Sequence, residues 1–392
     1  MKPRIRMLPL RQFAVLPAAL ALLAACASAP SIGSPSEASP PAPSASSAPT
    51  RIQVPSPAPV GSAPAGSEPV GSAPAVTSVS PPIAVPAGTR TDAIDGVAFF
   101  SAERGLLVGG TGGEGGLVAT GEGLVWRTED GGAHWAKATM SPGPLRSVAV
   151  VGSSLAWTSS VCGSGDPSGC RPQLLASRDG GVTWRTIADH GFVALDFLDA
   201  TRGWGLEATL RPSLQMTSDG GRRWSPAPSQ PCPTYPPLAA DGVSFTDRVH
   251  GWVACSGLGE AGNSDKAVVA TDDGGRTWHV VASAYPVQGY PAPTTGSIPE
   301  LDALWGIAMR TNGTGLIWMP LGGADGTWLT ADSGRTWAAI QMGAEPGAFG
   351  AVAGWLVDDG TWFLVLDATP PAEQLVRSTD AGRTWEAIRT PG

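Results

Sequence analysis

Six carboxylates recur in this chain with the same neighbours at the same spacing. Asp130, Asp179, Asp219, Asp273, Asp332 and Asp380 each follow a Ser or Thr by two residues and precede a Trp by five. The eight-residue boxes read TEDGGAHW from Thr128, SRDGGVTW from Ser177, TSDGGRRW from Thr217, TDDGGRTW from Thr271, TADSGRTW from Thr330 and STDAGRTW from Ser378. A carboxylate beside a hydroxyl could serve as a general acid or base. Six equivalent copies would then require six equivalent active sites. Asp at a turn does commoner work, accepting local backbone N–H groups while Gly supplies φ > 0. The six Asp are therefore expected to cap their own turns. Trp135, Trp184, Trp224, Trp278, Trp337 and Trp385 are expected to fold back as apolar plugs, each with an indole N–H that needs a partner.

Other chemistry leaves few traces. The chain has no G-x-S-x-G elbow, no phosphate-binding G-x-x-x-x-G-K-[ST] loop and no H-E-x-x-H helix. The Gly-rich GGTGGEGG from Gly109 lacks the lysine and following helix that would cradle phosphate, and reads as a long blade loop. No C-x-x-C pair occurs, and His134, His190, His250 and His279 fall in separate repeats, which disfavours a metal site. No catalytic residue, cofactor or metal is assigned.

The elements that position the boxes follow from the repeat itself. A period of roughly 40 to 60 residues is that of propeller blades, small sheets that bury their faces only by stacking on one another. A second phrase precedes each box, clearest in FLDATRGW from Phe197 and FTDRVHGW from Phe245, and in degraded form between Phe99 and Leu106. Ala156-Trp157, Gly315-Leu316 and Gly354-Trp355 take the Gly-Trp position in the other units. This phrase reads as strand, tight turn, strand. The box then supplies the hairpin between the third and fourth strands of a four-stranded blade. The expected fold is all-β, a β-propeller of six such blades, or seven if Gln288 to Trp305 joins chain-end strands in another blade. Closure by pairing early and late strands would remove sheet edges. The intact last repeat makes that exchange optional, with Ile388 in the final strand.

The two-part unit resembles the BNR/Asp-box repeat superfamily, and in particular propellers similar to the photosystem II stability and assembly factor, which carry an F-x-D-x-x-x-G-W segment ahead of R-T-x-D-G-G-x-T-W. The match runs from about residue 94 to 389. The resemblance implies a fold and leaves activity open, because Asp-boxes occur in sialidases, other glycosidases and sortilin-type receptors. Sialidases need three arginines gripping a carboxylate, an Asp acid/base, a Tyr-Glu pair and usually an early F/Y-R-I-P segment. No F/Y-R-I-P occurs here, and the only tyrosines are Tyr235, Tyr285 and Tyr290.

The chain begins as an exported protein would. Lys2, Arg4, Arg6 and Arg11 precede an apolar run from Phe13 to Ala25, the pattern of a signal peptide and too short to span a bilayer. Leu23-Ala24-Ala25-Cys26 resembles a bacterial lipobox, which implies residues 1–25 as a lipoprotein signal peptide and Cys26 as the lipidated first residue. An ordinary signal peptide cut nearby is the alternative. Residues 26–90, dominated by Pro, Ala, Ser and Gly, read as a disordered tether of ~45 Å mean span, leaving 91–392 as the propeller. The protein is expected to be extracytoplasmic and lipid-anchored to the bacterial cell envelope, meeting the membrane only through its lipid, and monomeric.

The four remaining cysteines suit that setting. Cys162 and Cys170 bracket a short loop, which leaves Cys232 to pair with Cys255; four separate buried thiols are the alternative. The formal charge is −8, and removing the four basic residues of the first 25, which hold no acids, leaves −12. Such a surface repels phosphate backbones, so a nucleic-acid partner is not expected. Arg276, Arg335 and Arg383 recur at one box position and read as blade-edge residues. Two insertions, SPAPSQPCPTYPPLAADG from Ser225 and AYPVQGYPAPTTGSIPE from Ala284, contain all three tyrosines. Packing of each loop onto its own blade is the commoner role of loop aromatics; as contacts to a peptide or glycan, which proline-stiffened loops suit, Tyr285 and Tyr290 are the stronger candidates. The expected function is a non-enzymatic scaffold that binds an envelope protein or glycan partner, with an envelope glycoside hydrolase as the alternative.

Overall fold

A computed structural model describes residues 92–111, 121–141, 143–162, 170–209, 211–234, 237–257, 264–284, 298, 303–319, 326–340, 350–366, 374–388 and 390. All lie in the second of two compact units, Glu68–Gly392. The signal segment, Cys26, the tether, Tyr235, Tyr285, Tyr290 and most of Gln288 to Trp305 lie outside the described residues.

Within that unit, 24 strands form six antiparallel sheets of four consecutive strands each, with no helix among the described residues. The first blade is β1 (Asp92–Phe99), β2 (Gly105–Thr111), β3 (Gly123–Thr128) and β4 (Ala136–Ser141). The second is β5 (Leu145–Val151), β6 (Leu155–Ser160), β7 (Gln173–Ser177) and β8 (Arg185–Ala188). The third is β9 (Phe192–Phe197), β10 (Gly203–Glu207), β11 (Leu214–Thr217) and β12 (Ser225–Pro226). The fourth is β13 (Ala239–Phe245), β14 (Gly251–Ser256), β15 (Lys266–Thr271) and β16 (His279–Ser283). The fifth is β17 (Gly306–Met309), β18 (Gly315–Trp318), β19 (Thr327–Thr330) and β20 (Ala338–Ala339). The sixth is β21 (Ala351–Leu356), β22 (Trp362–Leu366), β23 (Gln374–Ser378) and β24 (Glu386–Ile388). The innermost strands β1, β5, β9, β13, β17 and β21 touch in a closed ring, with β21 against β1. This is the six-bladed propeller expected from the repeats.

The core consists of six seams. Successive side chains of a strand point to opposite sheet faces, so a second strand buried on both faces feeds two seams. In β2, Leu106 and Val108 enter the cluster shared with the second blade, while Leu107 enters the one shared with the sixth. The outermost strands close the sheet edges cheaply: β4 is exposed and carries Lys137, and β12 and β20 are two residues long.

The two sequence phrases meet at one aromatic ring. Phe99, Phe197 and Phe245 end innermost strands, each paired in register with a glycine: Gly105, Gly203 and Gly251. A Cβ on Gly251 would lie 2.4 Å from the Phe245 ring, so the phenyl covers the glycine only because nothing is there. The other face of the phenyl stacks on the preceding blade. Trp157 lies 3.9 Å from Phe197 at 3°, and Trp204 lies 3.7 Å from Phe245 at 2°. The box Trp of the same blade meets the ring edge-on, at 6.4 Å for Phe99–Trp135, 6.0 Å for Phe197–Trp224 and 6.2 Å for Phe245–Trp278. Edge-on and offset contacts of this kind contribute about 0.5–1.5 kcal/mol each beyond area burial.

The sixth blade corrects the sequence reading. Leu356 pairs with Trp362, so Trp362-Phe363 occupies the position assigned to Gly354-Trp355, which lies inside β21. The displaced residues close the ring without strand exchange. Phe363 stacks on Phe99 at 3.6 Å and 4°, and the Trp355 indole Nε1 donates to the Phe99 carbonyl at 2.9 Å.

Candidate functional site

Each box lies between the third and fourth strands of its blade, where its polar atoms are consumed. The leading hydroxyl donates to the Asp Oδ1, at 2.9 Å from Thr128 to Asp130 and 2.8 Å from Thr271 to Asp273. It also accepts the N–H of the second glycine position, from Gly132 at 2.9 Å through to Gly382 at 2.8 Å. Oδ1 then accepts the N–H four residues on, as from Thr183, Thr277 and Thr384. Asp130, Asp179 and Asp273 are held down at about 2, chiefly by the His134 backbone N–H, the Thr183 hydroxyl and the Thr277 backbone N–H respectively. They stay ionised at physiological pH and offer no proton for catalysis.

The indole N–H groups of Trp184, Trp224, Trp337 and Trp385 donate to their own box glycines at 2.9–3.1 Å. Trp278 Nε1 is buried without an acceptor. Arg276, Arg335 and Arg383 brace the same turns by donating to the Asp273, Asp332 and Asp380 carbonyls. The first left-handed residue of every box also donates to the turn between the first two strands, as Gly220 does to Thr201 at 2.8 Å and Ala381 to Gly360 at 2.9 Å. One face of the propeller is thus a set of short, interlocked turns.

The opposite face receives the longer connections, including the Cys162–Cys170 bridge. The second disulfide joins Cys232 to Cys255, with Cα atoms 5.8 Å apart in both pairs. Here the chain opens into a mouth of about 700 Å³ that narrows to about 120 Å³ between the inner strands.

The residues ringing this mouth were not singled out from sequence. Four residues before the Phe position, the innermost strand bulges. Register shifts fall at Asp95 in β1, Arg146 in β5, Val193 in β9, Asp241 in β13 and Val352 in β21. Trp305 occupies the same position just before β17. A bulge leaves its extra residue unpaired and re-aims its side chain. All six side chains line the mouth, one per blade. The next residue is small in every blade, Gly96, Ser147, Ala194, Gly242, Gly306 and Ala353, because adjacent inner strands converge there. A Cβ on Gly242 would come within 2.6 Å of the Gly306 backbone.

The ring is chemically uneven. Arg146 Nη1 lies 3.2 Å from Asp95 Oδ2, so these two neutralise one another. Trp305 and Val352 are apolar neighbours in the ring, and Val193 flanks Asp241 on its other side. Asp241 receives hydrogen bonds from Ser256, yet its Oδ2 is buried with no partner. Burial pushes the Asp241 carboxyl up to about 8. Deeper in the channel, Asp196 accepts the Phe245 N–H at 2.5 Å, and burial raises it to about 7. That bond ties the third blade to the fourth, as Ser244 Oγ ties the fourth to the fifth through the Met309 N–H at 3.0 Å. Arg146 is the only arginine lining the channel among the described residues, and no group of three or more His, Cys, Asp or Glu there could hold a metal. A separate groove of about 800 Å³ opens on the box face at the seam between the third and fourth blades, walled by Trp204, Trp224 and four arginines, Arg202, Arg223, Arg248 and Arg276.

No family model matches the chain, and no curated protein matches it. Solved structures resemble it in fold. YCF48 bound to a D1 peptide is 17% identical, covering 81% of this chain and 88% of that one, with a TM-score of 0.45. A GH74 enzyme of Niastella koreensis is 13% identical over 75% of this chain and 46% of that one, TM-score 0.45. The GH93 α-L-arabinofuranosidase of Fusarium graminearum in complex with arabinobiose is 12% identical over 74% and 97%, TM-score 0.48.

Proposed function

We propose that this chain is a non-enzymatic scaffold, lipid-anchored through Cys26 in the bacterial cell envelope, that binds a protein partner on the face bearing the long connections. The observation that carries the reading is the division of labour between the two faces. On the box face every repeated carboxylate is bound into its own turn. On the other face lie the channel mouth and the Cys162–Cys170 bridge. Recognition residues concentrate in openings held by a rigid frame, and the mouth lies on the face away from the interlocked turns.

A glycoside hydrolase is the second reading, favoured by Asp196 and Asp241 lining one channel with raised pKa values. Such hydrolases need two carboxyls whose pKa values are pushed apart, one acid and one ionised base or nucleophile. Here burial pushes both upward, and Asp196 is engaged as an acceptor for the Phe245 backbone.

The test is affinity capture of the full chain from detergent-solubilised envelope of the producing cell, beside a Tyr285→Ala, Tyr290→Ala double variant. A stoichiometric protein partner whose recovery falls in the double variant supports the reading. Recovery of the chain alone, with hydrolysis of envelope glycans, contradicts it.

A further inference from the structure

The six bulged inner-strand positions make a ring that neither the turns nor the seams require. A bulge is tolerated where it re-aims a side chain, and here it aims one residue per blade at the same opening. Two of the six, Asp95 and Arg146, cancel as an ion pair at 3.2 Å. Three are apolar, and the sixth, Asp241, holds a buried Oδ2 that accepts no hydrogen bond. A buried polar atom without a partner costs about 1–3 kcal/mol, which a ligand bearing donors would remove. Trp305 belongs to the blade next to Asp241 and lines the same mouth. A carboxylate and an indole that open on one mouth suit a cation, which gains both from the charge and from the ring face.

We propose that this ring seats a single cationic side chain, a lysine or arginine, presented by the protein partner, with Asp241 as its counter-charge and Trp305, Val193 and Val352 around its aliphatic stem. The inference rests on the scaffold reading above and names the chemistry that reading leaves open. The mouth, about 700 Å³, admits an extended side chain, and the narrow section below stops at its head group. The other titratable groups facing Asp241 are Asp196 on the neighbouring β9, and Asp95 with Arg146 across the opening; the described residues of β17 contribute none. Because burial holds the Asp241 proton to about 8, seating a cation near neutral pH releases that proton.

The experiment titrates the full-length protein with N-acetyl-lysine amide, using N-acetyl-norleucine amide as the neutral isostere, and follows backbone and indole amide resonances by NMR. The expected result is saturable shifts at Gly242, Ala194 and the Trp305 indole with the lysine compound only. Asp241→Asn, judged folded by its unchanged remaining spectrum, should bind at least tenfold more weakly. On the unmutated chain, affinity should rise with pH up to about 8 as the proton is lost. An equal response to norleucine, shifts confined to other surfaces, or a flat pH dependence overturns the inference. This readout needs no partner protein, so it can fail while the captured partner stands, or hold while the capture fails.

Discussion

Replacing Phe99 by Ala should open the propeller at one seam and leave the other five closed. No strand is exchanged between the first and last blades, so closure depends on side chains, and Phe99 is the centre of them. It is 2% exposed, stacks on Phe363, meets Trp135 edge-on and accepts the Trp355 indole through its carbonyl. Truncating a buried Phe to Ala costs about 3–5 kcal/mol, and two lost ring contacts add roughly 0.5–1.5 kcal/mol each. The expected destabilisation is therefore about 4–8 kcal/mol. Phe197→Ala is the control, since its ring makes the same pair of contacts, with Trp157 and Trp224, at an internal seam where the chain runs on from blade to blade. Urea unfolding should give losses of similar size for both. Native-state hydrogen exchange should separate them: Phe99→Ala should accelerate exchange in β1, β21 and β22, and Phe197→Ala in β6 and β9. A loss below about 1.5 kcal/mol for Phe99→Ala, or exchange raised equally at all seams, would refute closure by side-chain packing.

Three further outcomes are expected. Ser333 and Ala381 sit at φ 64° and 59°, where the other four boxes place Gly, so Ser333→Gly and Ala381→Gly should each raise stability by about 0.5–1 kcal/mol; a lowered melting temperature for both would contradict this. Gly242→Ala drives a methyl into the Gly306 backbone and should cost about 1–3 kcal/mol in urea unfolding, whereas a neutral result would mean that the inner strands are not so close. Asp241 and Asp196 keep protons to about 8 and 7 that the unfolded chain loses near 4, so their contribution is full below that lower value and is lost as pH rises towards neutrality. In Asp241→Asn one such group is gone, and the fall in stability from about pH 5 to 7 should be shallower by up to ~1.4 kcal/mol per pH unit. Parallel pH profiles for the two proteins would contradict the burial of that carboxyl.

The parts of the molecule legible in the sequence are those built from local chemistry. Thr271, Asp273, Gly275 and Thr277 hold one another within seven residues, so their spacing announces the turn whatever surrounds it. The Phe-to-Gly spacing of the second phrase is legible for the same reason, because Phe245 lies over a glycine six residues away. The rule fails in the sixth blade, where Leu356 replaces the Phe and Trp362 the Gly. There Gly354-Trp355 imitates the motif, while Trp355 serves the contact with Phe99. The mouth was illegible because a bulge is a property of the pairing between two strands. Asp95, Arg146 and Asp241 become equivalent only when Phe99, Val150 and Phe245 are known to share a register. Tyr285 and Tyr290 remain candidates by composition alone, since they lie outside the described residues.

The most direct measurement is cross-linking of the full-length protein in intact envelopes of the producing cell, with the linked peptides read by mass spectrometry. A scaffold predicts one recurrent protein partner, linked to residues around the channel mouth and the long connections, with the interlocked turns of the box face unlinked. Links scattered over both faces, or none to any protein while envelope glycans are cleaved, would contradict it.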